Sequence, residues 1–222
     1  MWTMAGGGED DEARRHREVV WRRRQRLENE VPGSIPIDAV LVGGDEVVVF
    51  ISSVRAFSNG LDLTLEMRAR HASTDDRGDT FGLHGHGGPR DPLLLGIEFS
   101  DGRRCTNVDP LDLDGSDSAE RPVLTPGGGS STARSADLTL FLSPLPPPGD
   151  LRVVCAWPKW GLAETITVLS ADDILEGAQR ARVLWPWERE PEPDWSVKPP
   201  EVPKGGWFAE QRAQSHEAQQ RR

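Results

Sequence analysis

Two runs separated by Ser58-Asn59-Gly60 constrain the fold of this chain more than any other feature. "VVVFISSVRAF" (47–57) precedes the turn and "LDLTLEMRA" (61–69) follows it. In the second run Leu61, Leu63, Leu65 and Met67 alternate with Asp62, Thr64, Glu66 and Arg68. A period of two sends the apolar side chains to one face of a strand and the polar ones to the other, a pattern no helix produces. Asn-Gly between two such runs predicts a hairpin, because both residues tolerate positive φ. The first run is almost continuously apolar and predicts a strand covered on both faces.

The device recurs downstream. "LLLGIEFSDGRRCTN" (93–107) alternates at Leu93, Leu95, Ile97 and Phe99 and turns at Asp101-Gly102. "ADLTLFLS" (136–143), "LRVVCAW" (151–157) and "ETITVLS" (164–170) read as further strands. In the second of these, Leu151, Val153, Cys155 and Trp157 share the inward face, and Pro158 forces a bend or bulge at its exit. The fold class expected is mainly β, an antiparallel sandwich of about eight strands. One helix is predicted over 171–184, started by Ser170 with Asp173 in a capping box and stopped at Leu184-Trp185-Pro186. Ile174, Ala178 and Ala181 share its apolar face, which suits packing across an open end or edge of the sandwich.

The chain divides into three zones. Residues 1–33 form a charged arm that reads as a helix, with seven arginines against one glutamate over 13–26. Arg22, Arg23 and Arg24 are its candidate partner contacts, although residues 1–30 balance at seven basic and seven acidic side chains. The sandwich domain runs from 34 to 187. Residues 188–222 hold a Pro/Trp-rich tail expected to be extended and largely disordered.

A formal net charge of -10 argues against a protein that coats DNA, since phosphate binding needs a dense cationic face. Three lysines stand against 23 arginines, a bias of GC-rich coding rather than of chemistry. The longest apolar run, 47–51, is far too short to span a bilayer, and no apolar leader precedes the arm. A cytoplasmic protein is expected, with Cys105 and Cys155 as separate buried thiols.

Few motifs carry chemistry. His84 and His86 in "HGHGG", with Asp79 and Asp91 nearby, suit a metal, but a site usually needs a third ligand on a rigid element and a second shell, so loop 71–91 reads first as a Gly-rich mobile connection. "LDLDGSDSAE" fails the calcium-loop spacing, which would need acids where Pro110 and Arg121 stand. "TPGGGSSTARS" opens no helix and has no lysine, so it reads as a flexible loop rather than a phosphate cradle. No nucleophile is visibly paired with a base, and the chain leans away from catalysis. All eight tryptophans lie outside residues 22–156. Trp157, Trp160, Trp185 and Trp187 gather at "CAWPKWG" and "LWPW", either as packing that closes one end or as a stacking platform for a ligand.

The run "FLSPLPPPGDLRVVCAWPKWGLAETITVLSADDILEGAQRARVLWPW", with "VFISSVRAFSNGLDLTLEMRAR" and "LLLGIEFSDGRR" upstream, resembles a family of uncharacterised cytosolic actinobacterial proteins. The resemblance covers about residues 36–187 and implies that the sandwich and its helix form a unit with accessory tails. It supplies no activity and no catalytic residues. The expected function is a non-catalytic protein-interaction module without a cofactor, its partner another protein. A small-ligand or carbohydrate-binding module using the Trp cluster is the first alternative, and a hydrolase or metalloprotein using loop 71–91 the second. The oligomeric state is not legible in the sequence.

Overall fold

A computed structural model describes residues 26–72, 92–108, 120–186 and 205–207. The chain divides into two compact units, Met1–Pro186 and Trp187–Arg222, and the architecture below is that of the first. Its described residues form β1 (Glu30–Val31), β2 (Gly33–Ile35), β3 (Ala39–Gly43), β4 (Val47–Ala56), β5 (Leu61–Ala69) and β6 (Leu94–Glu98). They continue with β7 (Arg104–Thr106), β8 (Val123–Ser131), β9 (Ser135–Ser143), β10 (Asp150–Trp157), a 3-10 turn (Pro158–Trp160), β11 (Leu162–Ser170), α1 (Ala171–Gln179) and β12 (Arg182–Val183).

The strands form antiparallel sheets. One runs β2-β4-β5-β9-β8, with β3 also on β4; a second runs β11-β10-β6-β7; β1 and β12 make a two-stranded ribbon. Twelve strands among the described residues exceed the eight or so expected: β1, β2 and β12 are too short for alternation to register, and β8 lies in the glycine-rich segment read as a loop. The two larger sheets share one core. Leu61, Leu63, Leu65, Leu138 and Leu140 from the first and Leu95, Ile97, Val153, Cys155 and Trp157 from the second lie in a single buried cluster. Cys105 and Cys155 are both buried and form no disulfide. Cys155 pairs with Leu95 and Cys105 with Ile97, so β6 lies between them. Two strand spacings, about 10 Å, put them beyond disulfide reach.

Several expectations are corrected. The β4–β5 hairpin forms around residues 57–60, with the Phe57 N–H donating to the Gly60 carbonyl at 2.8 Å. Neither Asn59 nor Gly60 has positive φ. Gly60 is needed for space: a Cβ there would lie 2.5 Å from the Leu142 carbonyl oxygen and 2.6 Å from the Phe141 ring. The second turn behaves as read, with Gly102 at φ 84°. β4 is sealed on one face only; Val48 and Phe50 on the other are half-buried.

The glycine-rich segment is not a loop. Val123–Ser131 is strand β8 on β9, with a register shift between Pro126 and Gly129 that absorbs the proline. A Cβ at Gly129 would meet the Asp137 carbonyl oxygen at 2.4 Å, so the glycines let β8 lie close on its neighbour. The helix also stops early. Ser170 Oγ accepts from the Asp173 N–H as expected, but α1 ends at Gln179, and Arg182–Val183 leave to pair with Glu30–Val31. α1 lies flush on β2: a Cβ on Gly33 would sit 1.9 Å from the Gly177 carbonyl oxygen. It thereby covers the edge strand β2, and Arg180 Nη2 donates to the Ser34 carbonyl at 2.9 Å.

Candidate interaction face

Alternation on β10 sends Leu151, Val153, Cys155 and Trp157 inward and Arg152, Val154 and Ala156 outward. On β11 the parity is fixed by hydroxyls. Thr165 Oγ1 donates to the Leu41 carbonyl at 2.5 Å and Thr167 Oγ1 to that of Val40 at 3.3 Å, tying both threonines to β3. Their neighbours must then point the other way, and Ile166 and Val168 stand 49% and 55% exposed. Val154 pairs with Ile166 and Arg152 with Val168, so the apolar surface continues from β11 onto β10.

The next strand adds a hollow. Gly96 on β6 pairs with Val154 on one side and Thr106 on the other, without a register shift. A Cβ at Gly96 would meet its nearest neighbours at 3.6 and 3.8 Å, ordinary contact, and its φ is not positive. Nothing within the fold requires glycine here, although a glycine inside a strand costs stability.

One charged row crosses this face. Glu98 accepts from Arg152 Nη1 at 2.8 Å through Oε1 and pairs with Arg104 Nε at 2.7 Å through Oε2. The face is thus an apolar strip with a hollow at its centre, bordered by an ion triad. No protein-family model, curated protein or solved structure matches the chain. The face must therefore be interpreted from its own chemistry.

Of the site residues singled out from the sequence, only Trp157, Trp160 and Trp185 are described. Trp157 is fully buried on the inner face of β10 and serves the core. Trp160, half-buried in the 3-10 turn, sets its ring edge-on to Trp157 at 6.2 Å and 72°. The turn follows a register shift between Cys155 and Trp157, the bulge expected beside Pro158. Trp185 is 59% exposed, and its carbonyl accepts from Asn29 Nδ2 at 3.0 Å. Trp187, Arg22, Arg23, Arg24, His84 and His86 lie outside the described residues, as do the arm helix and almost all of the 188–222 tail. Among the described residues no group of three or more His, Cys, Asp or Glu suits a metal ion, and no helix is long and apolar enough to cross a membrane.

An open groove of about 770 Å³ lies at one end of the sheets, lined by Ser58, Asn59, Asp101, Arg103, Glu120 and Pro144, among others. Its charges are already engaged. The Arg103 N–H donates to Asp101 Oδ1 at 3.1 Å and its Nε to Oδ2 at 2.7 Å, which holds the Asp101 carboxyl below its usual range. The same guanidinium also lies 5.2 Å over the Phe99 ring. Such a groove offers a ligand little unspent charge, whereas the sheet face has unspent apolar area.

The sequence reading missed Ile166, Val168, Val154, Leu94 and Gly96. A signal was present: "VV" at 153–154 and "LLL" at 93–95 place apolar residues on both parities of a strand, so one of each set must face outward.

Proposed function

We propose that the protein is a non-catalytic protein-interaction module, a β-sandwich with a covering helix, that docks another protein on the outer face of β11-β10-β6-β7. One observation carries this reading: Ile166 and Val168 stand half-exposed beside Val154 on regular, paired strands. Contiguous apolar area on a rigid sheet marks interaction sites, whereas scattered apolar residues do not. The chain's net -10, with only a formal +1 in the Glu98 triad on this face, supports a protein partner over nucleic acid. Two buried cysteines that form no disulfide support a cytoplasmic setting.

The test is a quantitative affinity capture with the full chain, an Ile166→Asp/Val168→Asp variant, and a control carrying two added carboxylates at Thr64 and Thr139 on the opposite sheet. Proteins lost with the first variant and kept with the control support docking on this face. Identical capture by all three would sink the reading.

A further inference from the structure

The same face is complementary to itself. Its central rows place Arg152 beside Glu98, Val154 beside Gly96, and Ala156 beside Leu94, the first of each pair on β10 and the second on β6. Consider a two-fold axis parallel to the strands and midway between β10 and β6. Rotation about it lays β10 of one copy over β6 of the other. Arg152 then faces Glu98, Val154 faces the Gly96 hollow, and Ala156 faces Leu94. Each of these three central pairs joins positive to negative or large to small, as an isologous contact requires, while on the outer strands Ile166 faces Thr106 and Val168 faces Arg104.

We infer that this face pairs with the same face of a second copy of the chain, with Val154 of each copy seated over Gly96 of the other. The inference rests on the interaction-face reading and names its partner. Three observations converge on it. Gly96 has no internal reason to be glycine, and a strand glycine without a bulge marks a place where another surface approaches closely. Arg152 and Arg104 against Glu98 leave this face a formal +1 on a chain of net -10, so it lacks the negative charge by which two copies repel. Paired strands also make the face regular enough for aligned sheet packing, with the strands of the two copies near parallel about this axis.

The size of the face sets the strength. Four strands at about 4.8 Å and five residues at about 3.3 Å give roughly 19 by 17 Å. Two such faces amount to roughly 650 Å², below the size of standard specific interfaces, which predicts a weak, concentration-dependent dimer in the micromolar range.

The experiment is sedimentation of the full chain from roughly 1 to roughly 300 µM, bracketing a micromolar equilibrium, with thermal unfolding of each variant as the folding check. The wild type is expected to pass from monomer to dimer across this range. Gly96→Val fills the hollow while adding a favourable cross-strand neighbour to Val154. It is expected to stay monomeric with its Tm unchanged or raised, which a folding defect would not produce. Arg152→Glu and Glu98→Arg are each expected to be monomeric, because like charges then oppose across the axis. Mixed in equal amounts, they restore both opposite-charge contacts and recover the dimer to within about tenfold of the wild-type affinity.

A wild type that stays monomeric at the highest concentration overturns the inference, as does dimerisation that Gly96→Val leaves untouched. A mixture that stays monomeric overturns the pairing described. Self-pairing and docking fail separately. A monomeric wild type whose captured proteins still depend on Ile166 and Val168 leaves the docking reading standing. A dimer that survives Gly96→Val, with capture indifferent to Ile166→Asp/Val168→Asp, removes both.

Discussion

The outer faces of the two larger sheets are built from similar strands and finished differently, although Val40 on β3 of the six-stranded sheet is itself 64% exposed. On the six-stranded sheet the chain covers its own surface at one end. Asp62, Phe57 and Phe141 point away from the core yet are only 1%, 4% and 6% exposed. Arg55 pairs with Asp62 Oδ2 at 2.8 Å, Arg26 reaches the same oxygen at 3.5 Å, and the Glu30 carboxylate accepts from the Ser58 N–H and hydroxyl at 2.9 and 2.6 Å. Further along, Arg68 pairs with Glu66 and lies over Phe50, and Ser130 bonds Asp137. The four-stranded sheet has the Glu98 triad on its outer face, and beside it Ile166 and Val168 are left in water. Exposed apolar surface next to regular pairing therefore reflects an unfinished surface rather than a poorly formed sheet.

If that distinction is right, the inner sides of the two sheets must be equally tight. The largest expected effect tests this. Cys155 lies on the inner face of the bare sheet, and burial pushes its thiol from an ordinary 9.0 up to about 12. The folded state holds the neutral thiol while the unfolded chain ionises above about pH 9, so stability is intact below that pH and falls as pH rises toward 12. The loss is about 1.4 kcal/mol per unit, on the order of 4 kcal/mol over the window. Urea unfolding between these pH values should show the slope, and Cys155→Ala should remove it. An equal slope in the variant would mean that the bare sheet is not sealed from within.

Next comes the covered face. Gly60→Ala drives a Cβ toward the Leu142 carbonyl and the Phe141 ring. The cost expected is about 2–3 kcal/mol, typical of overpacking against backbone. Asp62→Asn should cost less, about 1–2 kcal/mol, because it weakens a charge-assisted bond to Arg55 whose own side chain is half in water. Denaturant midpoints decide both. A neutral Asp62→Asn would mean that the strap formed by residues 26–31 covers this face without help from its arginine pairings.

How much of this was legible follows from which interactions set each feature. Alternation at Leu61, Leu63, Leu65 and Met67 and at Leu151, Val153, Cys155 and Trp157 identified core strands, because burial on one face is a local pattern. Ser170 announced its helix through a contact three residues away. The helix end did not, since Arg182 and Val183 leave it for partners some 150 residues earlier in the chain. β8 was hidden because Gly127 and Gly129 favour strand only where β9 already lies beneath them. The candidate face was half visible. Ile166 and Val168 were evidently strand residues, but only the Thr165 and Thr167 bonds to β3 decide that they face outward.

The smallest expected effect bears most directly on the bare face. Ile166→Thr trades a half-exposed apolar side chain for another β-branched one that suits a strand and tolerates water. Its hydrophobic loss on folding is limited by the exposure the residue already has, so the change in stability should stay within about 0.5 kcal/mol. The parallel substitution of a buried neighbour, Val153→Thr, places a hydroxyl in the shared core and should cost several times more. Equal costs at 153 and 166 would show that Ile166 is covered in solution and would erase the contrast between the faces. A near-silent Ile166→Thr, coupled with weakened association, identifies the residue as one kept apolar for a partner rather than for the fold.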